Sequence, residues 1–309
     1  MHFEIANGHF EPKTTGMKDM KDAVMKAIGD IQKRHDRPDT LTGLSTGFKA
    51  LDSLTDGLHG GELFVIAGWP SVGKTALAMN MAEDIAVNGG QPVAVFSLGM
   101  NRQQFVPRFL CSVAQVNLAK ARQGSLSDCD FPAITAAAAK LAAAKVFIDD
   151  TSGLSISNLT ETARCMKSQH NIQAIFIDYL QLVRSTSNRA NSDREEEIAE
   201  ISVALKALAM ELNVPIVVLT QLNWNSDTRT GDGKGRPHTN DLPRCGSIER
   251  HADILALLMR EVSPADTDQR KQKVGEKATL IIAKQRNGPI GEVPLTFRKE
   301  YSRFATAAA

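Results

Sequence analysis

The 309-residue sequence is poor in aromatics (5%, with two Trp and two Tyr), has four cysteines, and carries almost no net charge, +1 from 36 Lys+Arg against 35 Asp+Glu. Each shortage excludes something. No apolar run approaches the roughly 20 residues that cross a bilayer. Charges at Lys13, Lys18, Asp19, Lys21 and Asp22 interrupt the region where a secretion signal needs an unbroken apolar centre. A cytoplasmic protein with no membrane partner is therefore expected. Cys111, Cys129, Cys165 and Cys245 form no CxxC or CxxH pair, so neither a disulfide framework nor a zinc site is indicated. Balanced charge argues against a protein that coats nucleic acid over its whole surface, although a local basic stripe survives in such a total. What is present, 42% apolar and 23% charged residues, suits one large α/β domain or two small ones and excludes disorder as the main state.

The chain divides into an arm, residues 1–40, and a larger domain, residues 41–309. In the arm, Met20, Val24, Ala27, Ile28 and Ile31 recur at helical spacing up to Arg37-Pro38, which predicts one amphipathic helix on a tether. Such a helix must bury its stripe, either on its own domain or on a neighbouring subunit. Beyond Thr46, apolar runs alternate with helical segments: Glu62–Ala67, Val93–Leu98, Val146–Ile148, Ala174–Ile177, Ile216–Thr220, Ile254–Met259 and Thr279–Ala283. That alternation predicts a mostly parallel sheet wrapped by helices. The alanine-rich stretch 133–144 reads as a plain packing helix. After Asn287-Gly288, the segments Val293–Phe297 and Ser302–Ala305 read as antiparallel strands added at the edge.

Gly68-Trp69-Pro70-Ser71-Val72-Gly73-Lys74-Thr75 fits G-x-x-x-x-G-K-[ST] between a strand and an apolar helix beginning at Ala76. The residue types follow from the chemistry. Glycines let the amides of Gly68, Ser71, Val72, Gly73 and their neighbours close around phosphate oxygens; Lys74 reaches the β- and γ-phosphates, and the Thr75 hydroxyl ligates Mg²⁺. Ala174–Asp178 is an apolar run ending in a carboxylate, which makes Asp178 the partner expected for that metal. Gln221 closes another strand, where open α/β sheets bind ligands; it is either a γ-phosphate sensor or a simple strand-end polar residue.

Seven stretches in order carry a family resemblance: residues 70–75, Phe96-Ser97-Leu98, Ile148-Asp149-Asp150, Ile177-Asp178-Tyr179-Leu180-Gln181-Leu182, Leu205-Lys206-Ala207-Leu208-Ala209, Gly246-Ser247-Ile248-Glu249, and Lys284-Gln285-Arg286-Asn287-Gly288-Pro289-Ile290-Gly291. Over roughly Leu41 to Phe304 the chain resembles the RecA-like motor domain of DnaB-type replicative helicases. The resemblance implies a RecA-like P-loop fold, MgATP, and a hexameric homo-oligomeric ring around single-stranded DNA. It also implies five-prime to three-prime movement, a primase or helicase loader as partner, and a linker helix that docks on the adjacent subunit. It casts Lys284 and Arg286 as a trans finger on a neighbour's γ-phosphate, where the residues alone read as a strand ending in an Asn-Gly turn, and Gln221 as the link between nucleotide and DNA loops. The helical domain that precedes the linker in this family has no counterpart within the 309 residues.

Two departures qualify this. The family's catalytic glutamate follows Ser-Leu, and here Gly99 stands there; without that base, turnover should be slow unless Asp149 or Asp150 substitutes. A hydrolysis-poor ATP-binding clamp or assembly platform is the alternative that Gly99 supports, whereas a strand-exchange recombinase is disfavoured by the residues 284–291 block. The DNA-facing loop reads Asp241-Leu242-Pro243-Arg244-Cys245-Gly246, with Pro243 removing an N–H from the usual contact position. Arg244 and Gly246 remain candidate phosphate contacts, with a plain surface loop as the alternative. Residues 184–194 and 223–237 read as mobile loops, where Arg189, Arg194, Arg229, Lys234 and Arg236 offer backbone-tracking charge and Trp224 alone offers stacking.

Overall fold

The structure is a computed structural model that describes residues 20–36, 41–185, 194–222, 236–242, 246–261 and 275–307. The chain forms two compact units that divide between Thr40 and Leu41. Within the first, helix α1 (Met20–Asp36) sets Met20, Val24, Ile28 and Ile31 four and three residues apart, hence along one face.

The second unit is built on β1 (Leu63–Gly68), β2 (Val93–Ser97), β3 (Val146–Asp149), β4 (Ala174–Asp178), β5 (Ile216–Gln221), β6 (Ile254–Arg260), β7 (Glu276–Gln285), β8 (Gly291–Arg298) and β9 (Arg303–Thr306). These lie in the order β3-β2-β4-β5-β1-β6-β7-β8-β9. The six strands from β3 to β6 run parallel, and β7, β8 and β9 each pair antiparallel with the strand before them. The reversal thus falls one strand earlier than the Asn287-Gly288 turn suggests, between β6 and β7.

Helices cover both faces, which is why the central strands read as unbroken apolar runs. Phe64 and Ile66 of β1 point into one core with Leu51 of α2 (Lys49–Thr55), Leu77 and Met81 of α3 (Lys74–Glu83), and Phe105 and Phe109 of α4 (Arg102–Ala114). Leu63, Val65 and Ala67 point into the other, against Leu159 of α7 (Ile156–His170) and Ile198, Ile201 and Leu205 of α8 (Arg194–Leu212). Each fully buried Leu, Ile or Phe contributes roughly 1.5–3 kcal/mol of transfer free energy.

Helix α3 is apolar nearly all round because it is enclosed on two sides, by the sheet and by β9. The Phe304 amide donates to Asn80 Oδ1 at 2.8 Å, and Arg303 pairs with Glu83. Two short elements, α5 (Leu118–Gln123) and α9 (Gly246–His251), complete the frame. The alanine-rich helix α6 (Phe131–Ala143) packs with Ala137 buried and Leu141 against the core, and leaves Phe131 53% exposed. A methyl side chain buries little area, so α6 needs only a narrow contact with its neighbours.

Candidate active site

The loop between β1 and α3 is held by close packing that excludes side chains. A Cβ on Gly68 would lie 2.9 Å from the Leu258 carbonyl oxygen. Gly73, at φ 109°, sits under Phe304, whose ring a Cβ would meet at 2.9 Å. The glycines therefore serve both the turn and the approach of β9 to the loop. Lys74 Nζ donates to the carbonyls of Gly68 (2.7 Å) and Trp69 (2.8 Å), and burial lowers its pKa to about 8 against the opposing pull of Asp178. Ala76 follows, buried in the first turn of α3.

In the strand order β4-β5-β1, Asp178 lies two strands, roughly 10 Å, from the β1 end, with Gln221 between them. Thr75 closes that gap: its hydroxyl donates to Asp178 Oδ2 at 2.7 Å. Burial raises the Asp178 pKa, opposed by the Thr75 hydrogen bond and by Lys74 and Arg108. Gln221 pairs across from Gly68. Gln181 holds this strand end, its Nε2 donating to Thr220 Oγ1 at 2.8 Å.

Arg108 is the site residue that sequence reasoning missed. It projects from α4 and is partly buried; burial and then Arg122 lower its pKa and Asp178 opposes them, and while Nη1 meets Met100 Sδ at 3.6 Å its Nε is buried without a hydrogen-bond partner. Lys74 meets only carbonyls and Arg108 Nε has no hydrogen-bond partner, so two partly buried cations lie within electrostatic reach of one carboxylate. That imbalance suits a polyanion. Thr75 and Asp178 are hard oxygen donors of the kind Mg²⁺ takes alongside phosphate oxygens and water. Among the described residues no group of three or more His, Cys, Asp or Glu is placed to hold a metal without such help.

Gly99 follows β2 beside this centre, its amide donating to the Asp178 carbonyl at 3.2 Å. Neither proposed substitute takes its place. β3 is the outermost strand, beyond β2 from Asp178, and both carboxylates there are engaged. Asp149 accepts the Thr151 amide at 2.9 Å. Asp150 accepts the Arg102 amide at 2.7 Å and its guanidinium at 3.0 Å, contacts that hold its carboxyl below the usual range. A carboxylate so stabilised is a poor base.

Lys284 and Arg286 lie at the opposite rim. Arg286 contacts Asp253 Oδ1 at 3.5 Å, and Asp253 Oδ2 accepts the Leu63 amide, at the start of β1, at 2.8 Å. From Leu63 to Gly68, at about 3.3 Å per residue, is roughly 17 Å. The two cations are therefore far from the phosphate loop of their own chain. Lys284 donates to the Glu249 carbonyl, and Arg286 Nη2 to the Arg250 carbonyl at 2.8 Å.

Gly246 opens α9, while Arg244, Arg189, Arg229, Lys234 and Trp224 lie outside the described residues. Arg194 and Arg236, expected as DNA-tracking charge, are engaged internally: Arg194 with Glu197 and, at 2.8 Å, the Gln181 carbonyl; Arg236 with Glu292. No helix among the described residues is long and apolar enough to cross a membrane.

A family model described as the DnaB-like helicase C-terminal domain matches residues 43–306. The chain is 40% identical over 287 residues to the replicative DNA helicase DnaB of Geobacillus stearothermophilus, covering 93% of this chain and 62% of that protein. It is 38% identical over 291 residues to the replicative DNA helicase DnaC of Bacillus subtilis, covering 94% and 62%. It thus spans about three-fifths of the length of these relatives. Among solved structures, an isolated ATPase domain superposes with a TM-score of 0.84 at 29% identity, covering 94% of this chain and all of that one. A DnaB-like replicative helicase, solved with its interactions with primase as the subject, gives 0.80 at 29% identity, covering 94% and 67%.

Proposed function

The chain belongs to the DnaB-like helicases, matching their C-terminal domain, and from that premise we propose that it is the ATP-hydrolysing motor of a replicative DNA helicase. It works as a homo-oligomeric, hexameric ring that moves five-prime to three-prime on single-stranded DNA in the cytoplasm, with a primase or helicase loader as partner. The observation that carries this reading is the separation of Lys74 from Lys284 and Arg286. A phosphate cradle on one rim and two cations on the other form one complete site only when two copies meet head to tail, a heterologous contact that closes into rings.

In this reading the loop amides of residues 68–76 and Lys74 hold the β- and γ-phosphates, and Arg108 supplies further positive charge from α4. Thr75 and Asp178 hold Mg²⁺, which when bound neutralises charge on the phosphates. Gln221 couples the strand end to the segment that follows β5. Arg286 and Lys284 of the neighbour offset charge developing in phosphoryl transfer, an effect worth about 10³–10⁵ in rate. Arg244 and Gly246 contact the DNA backbone, and residues 1–40 form a linker arm that docks its stripe on the adjacent copy.

The relatives favour this motor over a static platform, and Gly99 bears on its speed rather than its class. The test is phosphate release from ATP with and without single-stranded DNA, at concentrations that assemble the ring, together with unwinding of a five-prime-tailed fork. DNA-stimulated release that depends on both Lys74 and Arg286 supports the motor. ATP binding that holds DNA with no release above background, even in Gly99→Glu, overturns it in favour of the platform.

A further inference from the structure

Residues from two of the sequence blocks that mark this chain converge on one buried carboxylate. Asp253, 5% exposed, lies between α9 and β6. Its Oδ2 accepts Lys206 Nζ at 2.6 Å, from the Leu205-Lys206-Ala207 block on α8, and the Leu63 amide at 2.8 Å. Its Oδ1 faces Arg286 Nε at 3.5 Å, and its backbone carbonyl accepts the Arg286 amide at 2.9 Å. Lys206 also donates to the Gly61 carbonyl at 2.8 Å. Asp253 is thus fixed on one side by a lysine and a strand amide, and turns its remaining oxygen to an arginine that is half exposed at the rim.

We propose that Asp253, locked by Lys206 and the Leu63 amide, is the positioning residue that aims Arg286 at the nucleotide of the neighbouring copy. The proposal rests on the reading of Arg286 as a trans finger. An arginine on a hairpin end has many rotamers, and a finger acts only if it arrives oriented. The Asp253 contact at Nε and the Arg250 carbonyl at Nη2 constrain one side of the guanidinium and leave the other edge for phosphate. Lys284 stands beside Arg286; burial and then Arg286 lower its pKa, and Glu249 and Asp253 oppose them. The same carboxylate ties the finger to the first residue of β1, the strand that ends in the chain's own phosphate loop.

Subunit mixing tests this. Asp253→Asn keeps the size of the side chain and an acceptor for the Leu63 amide but loses the charge facing Arg286. Misplacing a catalytic group by about 1 Å can cost 10²-fold, so kcat for ATP should fall by about 10- to 100-fold while ATP affinity, set by the intact phosphate loop, holds. Mixing Asp253→Asn chains with Lys74→Ala chains should restore turnover, because intact phosphate loops then meet intact fingers. Arg286→Ala mixed with Lys74→Ala is the control for the finger itself. All mixtures are run in the unmodified chain and in a Gly99→Glu background, where the signal is larger.

If Arg286→Ala is restored by mixing and Asp253→Asn is not, Asp253 acts within its own subunit and the proposal is overturned while the finger reading stands. If neither is restored, the finger reading fails and the proposal with it. An unchanged kcat in Asp253→Asn also overturns it. Should Asp253→Asn melt below the assay temperature, Asp253→Asn/Lys206→Met leaves no lone buried charge and carries the same test.

Discussion

Gly99→Glu puts a carboxylate where the family's base belongs, and both its cost and its benefit can be worked out. The φ of Gly99 lies outside the left-handed region, so a side chain meets no backbone penalty. A Cβ would lie 3.3 Å from Tyr179 Cε1 and 3.6 Å from Leu182 Cδ1, which asks the tyrosine ring to yield by a few tenths of an ångström. Against that, replacing glycine restricts the unfolded chain and contributes about 0.4–1 kcal/mol. The two nearly cancel, so Tm should move by less than about 3 °C, at roughly 2–4 °C per kcal/mol. The gain is kinetic. A positioned base contributes about 10²–10⁴ in rate, or about 2.7–5.4 kcal/mol of barrier at about 1.36 kcal/mol per decade. The assay is single-turnover phosphate release at saturating ATP, with and without single-stranded DNA. Two results refute the reasoning: an unmodified chain already as fast as the variant, or a gain below tenfold with Tm unmoved. Either places the base elsewhere.

Asp178→Asn should abolish the strengthening of ATP binding by Mg²⁺, so that titrations with Mg²⁺ and with EDTA coincide. A persistent Mg²⁺ effect would assign the metal to other residues. Arg108→Ala removes a charged contact worth about 1.5–3 kcal/mol and should weaken ATP binding roughly 10- to 150-fold while sparing Tm; equal affinity would leave Arg108 without a phosphate role. Asn80→Leu strips the acceptor from the buried Phe304 amide, at about 1–3 kcal/mol, and should lower Tm by about 2–10 °C. Unchanged melting would show that β9 is held without it.

The phosphate loop is legible in the sequence because eight consecutive residues hold its whole chemistry, and Asp178 because a buried strand ends in it. Arg108 is not legible in that way. Its importance arises only when α4 packs Phe105 and Phe109 into the core and brings the guanidinium within electrostatic reach of Asp178. The early reversal of the sheet shows only in the structure: along β7 the buried residues Ala278, Leu280 and Ile282 alternate with half-buried ones, among them the apolar Ile281, unlike the solidly buried β1. That period of two marks a strand covered on one face, and the near-continuous apolar run 279–283 does not announce it. The exclusion of Asp149 and Asp150 as bases needed strand order, which no local pattern in this chain reveals. Asp253 was invisible for a similar reason, since its partners are Leu63, Lys206 and Arg286, each far from it or from one another in the chain.

In the proposed reading the site is split between two copies, and that changes what counts as a unit. In an open row of n copies, one phosphate loop at one end has no finger and one finger at the other end has no nucleotide, so only n − 1 sites are whole. Closing the row into a ring completes the last site without adding a protein. Closure and dilution should therefore be visible in catalysis itself: specific activity falls toward zero as copies separate, and rises in a step when an open assembly shuts around its strand.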